Sequence, residues 1–249
     1  MTTPNFNSPA TFGTRRQLTI TLGDALAIAL AFCWAVADPT KSYSGSNPYL
    51  WAYRTYDAAL RGVANRLEAA VLAANGLNAG MSAETMLKIM AKADAGELPD
   101  LTVLPPFWTM NSTKLHFDPK DSSPEGTVWQ WYHAMKAIDG VGGAVSAKVG
   151  FHYAPDAMPL WDSVVGRFWD PKTMWGQIAD NIVAEATWLD VLENYVEHYR
   201  VNFQSSIGVK LNRSRLVDIL TWGEGVNQYQ SLLSHGQHLL SMVPNPSAW

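Results

Sequence analysis

From Ile138 to Trp169 the chain reads IDGVGGAVSAKVGFHYAPDAMPLWDSVVGRFW. The residue types and spacing here can do chemistry. Gly140-Val141-Gly142-Gly143 lies between two stretches of helical pattern. Helices joined by so short a connection leave amides of the turn and of the next helix N-terminus unpaired. Such donors suit an anion, above all a phosphate. Glycine supplies positive φ and allows close backbone approach. A dinucleotide fingerprint fits less well, because it needs a preceding strand and a glycine where Val145 stands. A P-loop needs Gly-Lys-Ser/Thr, where this chain has Ala147-Lys148-Val149. A tight α–α turn without a ligand is the plain alternative for the glycines alone.

Two pieces of this segment resemble the helix–hairpin–helix DNA glycosylase superfamily, the endonuclease-III and 8-oxoguanine glycosylase group. Ile138-Asp139-Gly140-Val141-Gly142 is similar to its hairpin, and Pro159-Leu160-Trp161-Asp162-Ser163-Val164-Val165 to its aspartate segment. The resemblance covers about thirty residues and is only architectural outside them. Bifunctional members carry a lysine two residues after the second hairpin glycine. Ala144 stands there, eighteen residues before Asp162, which is the family's spacing. Alanine cannot form a Schiff base, so the resemblance implies a monofunctional enzyme that leaves an abasic site. Lys148 lies one turn later on the same helix face. In the family that face lines the pocket for the extruded base. Lys148 then has three readings: a displaced amine nucleophile, a contact to the flipped nucleotide, or a solvated helix lysine.

The implied chemistry is physically sound. Breaking an N-glycosidic bond develops an oxocarbenium-like sugar, and a nearby carboxylate stabilises that charge and can orient or activate water. Asp162 is the candidate. Its bland alternative is an N-cap of the following helix, and one residue can do both. The implied partner is double-stranded DNA carrying a modified or damaged base. Base-excision repair and defence against phage DNA with hypermodified bases are both open purposes. No cofactor is required, although the hairpin leaves room for a monovalent cation.

Other residues can assist. Of the eleven tryptophans, Trp129, Trp131, Trp161, Trp169, Trp175 and Trp188 cluster around the motif. Aromatic rings stack on flipped bases, though core filling is their ordinary use. Trp161, with Ala144 and Lys148, is the base-pocket candidate. Tyr43–Asp57 and Pro105–Asn111 can face a cleft, with Asp57 or Asn111 reading a base edge. Arg15-Arg16, Arg167, Arg200, Lys210, Arg213 and Arg215 are candidate phosphate contacts, or else solvated surface. Glu193, Glu197 and His198 read as a surface face rather than a metal site. A non-catalytic DNA-binding module and a helical protein-interaction scaffold are the rival readings.

The elements that must position these residues are mostly α-helical. Thr21–Asp24 has capping-box spacing before the apolar run Ala25–Ala37. Residues 38–49 are loop by composition. Helical spacing is expected over 50–75, from Ser82 to about Gly96, over 127–138, 144–153, from near Asp162, and over 173–200, 210–222 and 229–242. Residues 97–126 are expected to be a long loop or a short irregular strand pair. The resemblance implies two lobes flanking a central cleft: residues 22–156, and residues 1–21 with 157–249.

Composition bounds the rest. Of 249 residues, 47% are hydrophobic and 16% charged, which excludes a disordered chain. A single cysteine excludes a disulfide framework. The net charge of −4 offers no global attraction to nucleic acid. The longest apolar run, thirteen residues, falls short of the roughly 20 that span a bilayer, and the N-terminus lacks a signal-peptide pattern. A cytoplasmic monomer that does not enter membranes is expected.

Overall fold

The computed structural model describes residues 4–34, 65–202 and 210–242. Among these residues the chain is mostly helical, with ten α-helices and one small antiparallel strand pair. The strands, β1 (Pro9–Phe12) and β2 (Leu18–Thr21), pair from Pro9 with Thr21 to Phe12 with Leu18. Each is too short for its alternation to stand out. They form because Ala10, Phe12, Leu18 and Ile20 all point into the core.

Helix α1 (Leu22–Trp34) begins where expected, with Thr21 Oγ1 accepting from the Asp24 amide at 3.2 Å. Every residue from Ala25 to Phe32 is buried, which explains a run apolar on all sides. Its neighbours are α8 (Ala186–Asn202), α9 (Arg213–Gly225) and α10 (Tyr229–Ser241). Among the described residues α1 packs chiefly on these C-terminal helices. Helix α10 comes close because Gly236 has no side chain: a Cβ there would overlap the Ala27 carbonyl oxygen. Gly236→Ala is therefore expected to cost about 1–3 kcal/mol, the range for an overpacked contact. Urea unfolding should show a lowered midpoint with an unchanged slope.

Helix α2 (Arg66–Ala74) is capped by Asn65 and runs into a π-helical turn, Asn75–Ala79, closed by Gly80 at φ +65°. It packs on α6 (Gly143–Tyr153). Helix α3 (Ala83–Asp94) starts at its Ser82 cap, as expected. Residues 97–126 hold no strand pair. They contain a 3₁₀ turn at Phe107–Thr109 and the short α4 (Ser112–Leu115). Asn111 caps α4 by accepting from the Thr113 and Lys114 amides, at 3.0 and 3.4 Å, so its side chain is used locally rather than offered to a base. Helix α5 (Pro124–Lys136) opens three residues before the expected Thr127, because Ser123 caps it and Pro124 suits the first turn. The expected helix over 173–200 is two, α7 (Met174–Ala184) and α8, parted at Glu185. A contiguous core runs through both helix groups, with Trp131, Phe151, Phe168 and Trp169 fully buried. Residues 38–49, the N-terminal part of the 50–75 helix, and Tyr43–Asp57 with Asp57 lie outside the described residues.

Candidate functional site

Helix α5 ends at Lys136 and α6 begins at Gly143, so the two are joined by six residues and pack on each other. Ile138 and Val141 are buried and tied by the Val141 amide to Ile138 carbonyl bond of 3.0 Å. These apolar residues anchor the connection and leave Gly142 exposed. Gly140 has φ +83°, and a Cβ there would lie 2.7 Å from Thr85 Oγ1 on α3. Both facts demand glycine. Gly142 is the N-cap of α6, and no side chain caps that end. Asp139, next to Gly140, is exposed, with Lys88 3.4 Å away.

Ala144, Lys148 and His152 follow one another at four-residue steps on α6. Lys148 is half-buried. Burial pushes its amine pKa down, and the negative charge of Asp162 pushes back up. Lys148 therefore lies within the electrostatic reach of Asp162. His152 is 1% exposed. Burial first, then the positive charges of Arg215 and Lys148, push its pKa down to about 3. Its ordinary value is 6.5, so between these limits the unfolded chain binds the extra proton. Stability is then expected to fall as pH drops from about 6.5 toward 3, and to show none of this loss above 6.5. Denaturation midpoints across that range, compared with His152→Gln, test this: the variant should show a shallower acid slope.

Asp162 does not open a helix, contrary to expectation. Its Oδ1 accepts from the Val164 and Val165 amides at 2.8 and 2.9 Å, capping a single 3₁₀ turn at Val165–Arg167. The next helix waits until Met174. The turn is held from outside, because the Phe168 carbonyl accepts from the Thr14 and Arg15 amides of the β-hairpin.

Trp161 lies as a plate between two glycines. A Cβ on Gly143 would stand 3.3 Å from its ring, and one on Gly166 2.7 Å from its Nε1. Its ring helps wall a small, solvent-open recess of about 80 Å³, together with Leu115, Trp129, Tyr132, Lys172 and Trp175. Trp129 and Trp175 lie 4.4 Å apart between centroids, and Tyr132 meets Trp175 edge-on at 5.1 Å. Tyr132 and Lys172 were not foreseen as site residues. The signal for Tyr132 was its i+3 position after Trp129 on α5, while nothing in the sequence singled out Lys172. Trp131, Trp169, Trp175 and Trp188 are buried core rings.

Most of the cations expected to meet phosphate are paired within the protein. Arg200 pairs with Glu197 at 2.7 Å, Lys210 with Glu193 at 3.2 Å, and Arg213 with Asp190 and Glu193. Arg215 is 2% exposed and pairs with Asp218, 3% exposed. Its guanidinium lies over Phe32 and Phe151. Arg16 pairs with Glu224, and Arg167 donates to the Gly225 carbonyl, while Arg15 is exposed. Glu193 and Glu197 are thus occupied by these cations. Among the described residues no group of three or more His, Cys, Asp or Glu is placed to hold a metal, and no helix is long and apolar enough to cross a membrane.

Over residues 36–225 the chain matches a family of unknown function, DUF6308. No curated protein and no solved structure matches it. The match spans well over half the chain, so the protein belongs to the DUF6308 family.

Proposed function

We propose that the protein is a DNA glycosylase that extrudes a modified or damaged base from duplex DNA and hydrolyses its N-glycosidic bond. The observations that support this reading are the glycine turn at the uncapped start of α6 and Asp162 on the turn that follows, whose charge acts on Lys148 of that helix. The hairpin amides would hold a phosphate of the bent strand. Extrusion costs a few kcal/mol, least for a damaged or mismatched base. As the C1′–N bond breaks, its electron pair leaves with the base and positive charge grows on the sugar. Asp162 stabilises that charge. Water adds to C1′ and gives its proton to the carboxylate, which passes it through solvent to the departing base, leaving an abasic site, a neutral free base and a regenerated Asp162. Lys148 balances Asp162 and contacts the extruded nucleotide.

With alanine at 144 the enzyme is monofunctional, and borohydride should trap no covalent complex with DNA. Efficient trapping that disappears in Lys148→Gln would instead make Lys148 the nucleophile. The assay is hot-alkali cleavage of duplexes holding uracil, 8-oxoguanine, alkylated purines, or hydroxymethylcytosine with and without glucose. Cleavage of one or more is expected. A preference for the glucosylated base would favour phage defence, and a preference for a simple lesion would favour repair.

One observation favours a second reading. Asp162 is already used as a cap, which suits a non-catalytic module that binds DNA through the hairpin. Salt-sensitive binding without cleavage of any duplex would select that reading.

A further inference from the structure

We propose that Lys88 of α3 is a DNA-backbone contact beside the glycine turn, held in check by Asp139, the carboxylate it pairs with in the free protein. This rests on the reading that the turn receives a phosphate of duplex DNA, and the test below separates the two.

The pair is built by the turn itself. The Val141 amide donates to the Ile138 carbonyl at 3.0 Å, so residues 138–141 form a β-turn. Gly140, its third residue, has φ +83°, while Asp139 before it has no positive φ, which is the type II form. Ile138 and Val141 are buried, and Asp139 stands at the apex with its side chain 92% exposed. Helix α3 presses on the same turn, because Thr85 Oγ1 lies where a Cβ on Gly140 would need space. Lys88 follows three residues later, on the same face of α3. Its ammonium lies 2.7 Å from Glu84 and 3.4 Å from Asp139. A cation from a separate helix is thus delivered to the turn.

Asp139 opposes an anion there in two ways. The first is direct repulsion. Three Cα–Cα steps of about 3.8 Å put its Cα at most about 11 Å from that of Gly142. The screening length is about 10 Å at 0.1 M salt, so the carboxylate acts on a phosphate at the start of α6. The second is competition for Lys88. A phosphate oxygen and the Asp139 carboxylate seek the same ammonium.

The exchange costs little. Glu84 and Asp139 are both largely exposed, and ion pairs in that setting are weak and screened by salt. This separates Lys88 from Arg213 and Arg215, whose partners Glu193 and Asp218 are mostly buried. A duplex phosphate therefore displaces Asp139 from Lys88, and the free protein carries an autoinhibited turn.

The test is binding of the full chain to a fluorescent 20-base-pair duplex, followed by anisotropy across a salt series. The proteins are the wild type, Lys88→Gln, Asp139→Asn and the double variant, all changes at the surface. Lys88→Gln should weaken binding about three- to tenfold at about 50 mM salt and lower the slope of log affinity against log salt by about 1. Asp139→Asn should tighten binding by a similar factor, with a gain that shrinks as salt rises. The double variant should bind more weakly than Asp139→Asn alone, because Lys88 meets the phosphate itself. If Lys88→Gln has no effect in the Asp139→Asn background, Lys88 serves only to neutralise Asp139 and the proposal is wrong. Weaker binding by Asp139→Asn, or wild-type binding that neither single variant alters, overturns it too and leaves the glycosylase reading standing. The expected pattern with no base released from any duplex upholds the pair and removes the glycosylase reading. A chain that binds no duplex at low salt overturns both.

Discussion

Asp162→Asn is expected to abolish excision while leaving the fold and DNA binding in place. The two roles of Asp162 separate cleanly in this variant. The cap depends on one side-chain oxygen accepting from the Val164 and Val165 amides. Asparagine offers the same oxygen and caps about as well as aspartate. Unfolding should therefore shift by only a few tenths of a kcal/mol. The charge that would stabilise the sugar cation and accept a proton from water is gone. A drop of about 10²–10⁴ in single-turnover excision follows from the usual size of acid–base and electrostatic contributions. Asp162→Ala removes both roles and should add a loss of about 1 kcal/mol in stability. A rate unchanged in Asp162→Asn would reduce the residue to a cap.

Asp218→Ala is expected to be the most destabilising change outside the site, at about 3–5 kcal/mol. Arg215 and Asp218 sit one turn apart on α9, both nearly inaccessible and paired with each other. Removing the carboxylate strands a buried guanidinium between Phe32 and Phe151, close to His152. Truncating one partner costs far more than replacing both. The double variant Arg215→Met/Asp218→Leu should therefore recover most of the loss. A single-variant loss below 1 kcal/mol in urea unfolding would mean that the pair is solvated.

The helices were legible wherever a cap and an apolar period coincided, as at Ser82 and Thr21. The strand pair was not, because four residues per strand give alternation no length to show itself. Asp162 was read as opening a helix because an aspartate before Ser-Val-Val has that pattern. Only packing against the β-hairpin turn shows that the chain stops after one 3₁₀ turn. The influence of Asp162 on Lys148 was not read from the sequence, because the two are brought near each other only by the fold. The basic cluster at 200–215 misled for the opposite reason: charge in sequence does not reveal the carboxylates that α8 and α9 bring to it. The recess had half a signal, in the tryptophans, but Tyr132 and Lys172 meet Trp161 only through the fold.

The most direct measurement is the free base itself. The intact chain would be incubated with the modified duplexes, and the solution analysed by mass for released base. Release of one modified base by the wild type, absent with Asp162→Asn, is the expected result. If no base is released from any duplex while salt-sensitive binding persists, the protein binds DNA without cutting glycosidic bonds and the proposed activity is wrong.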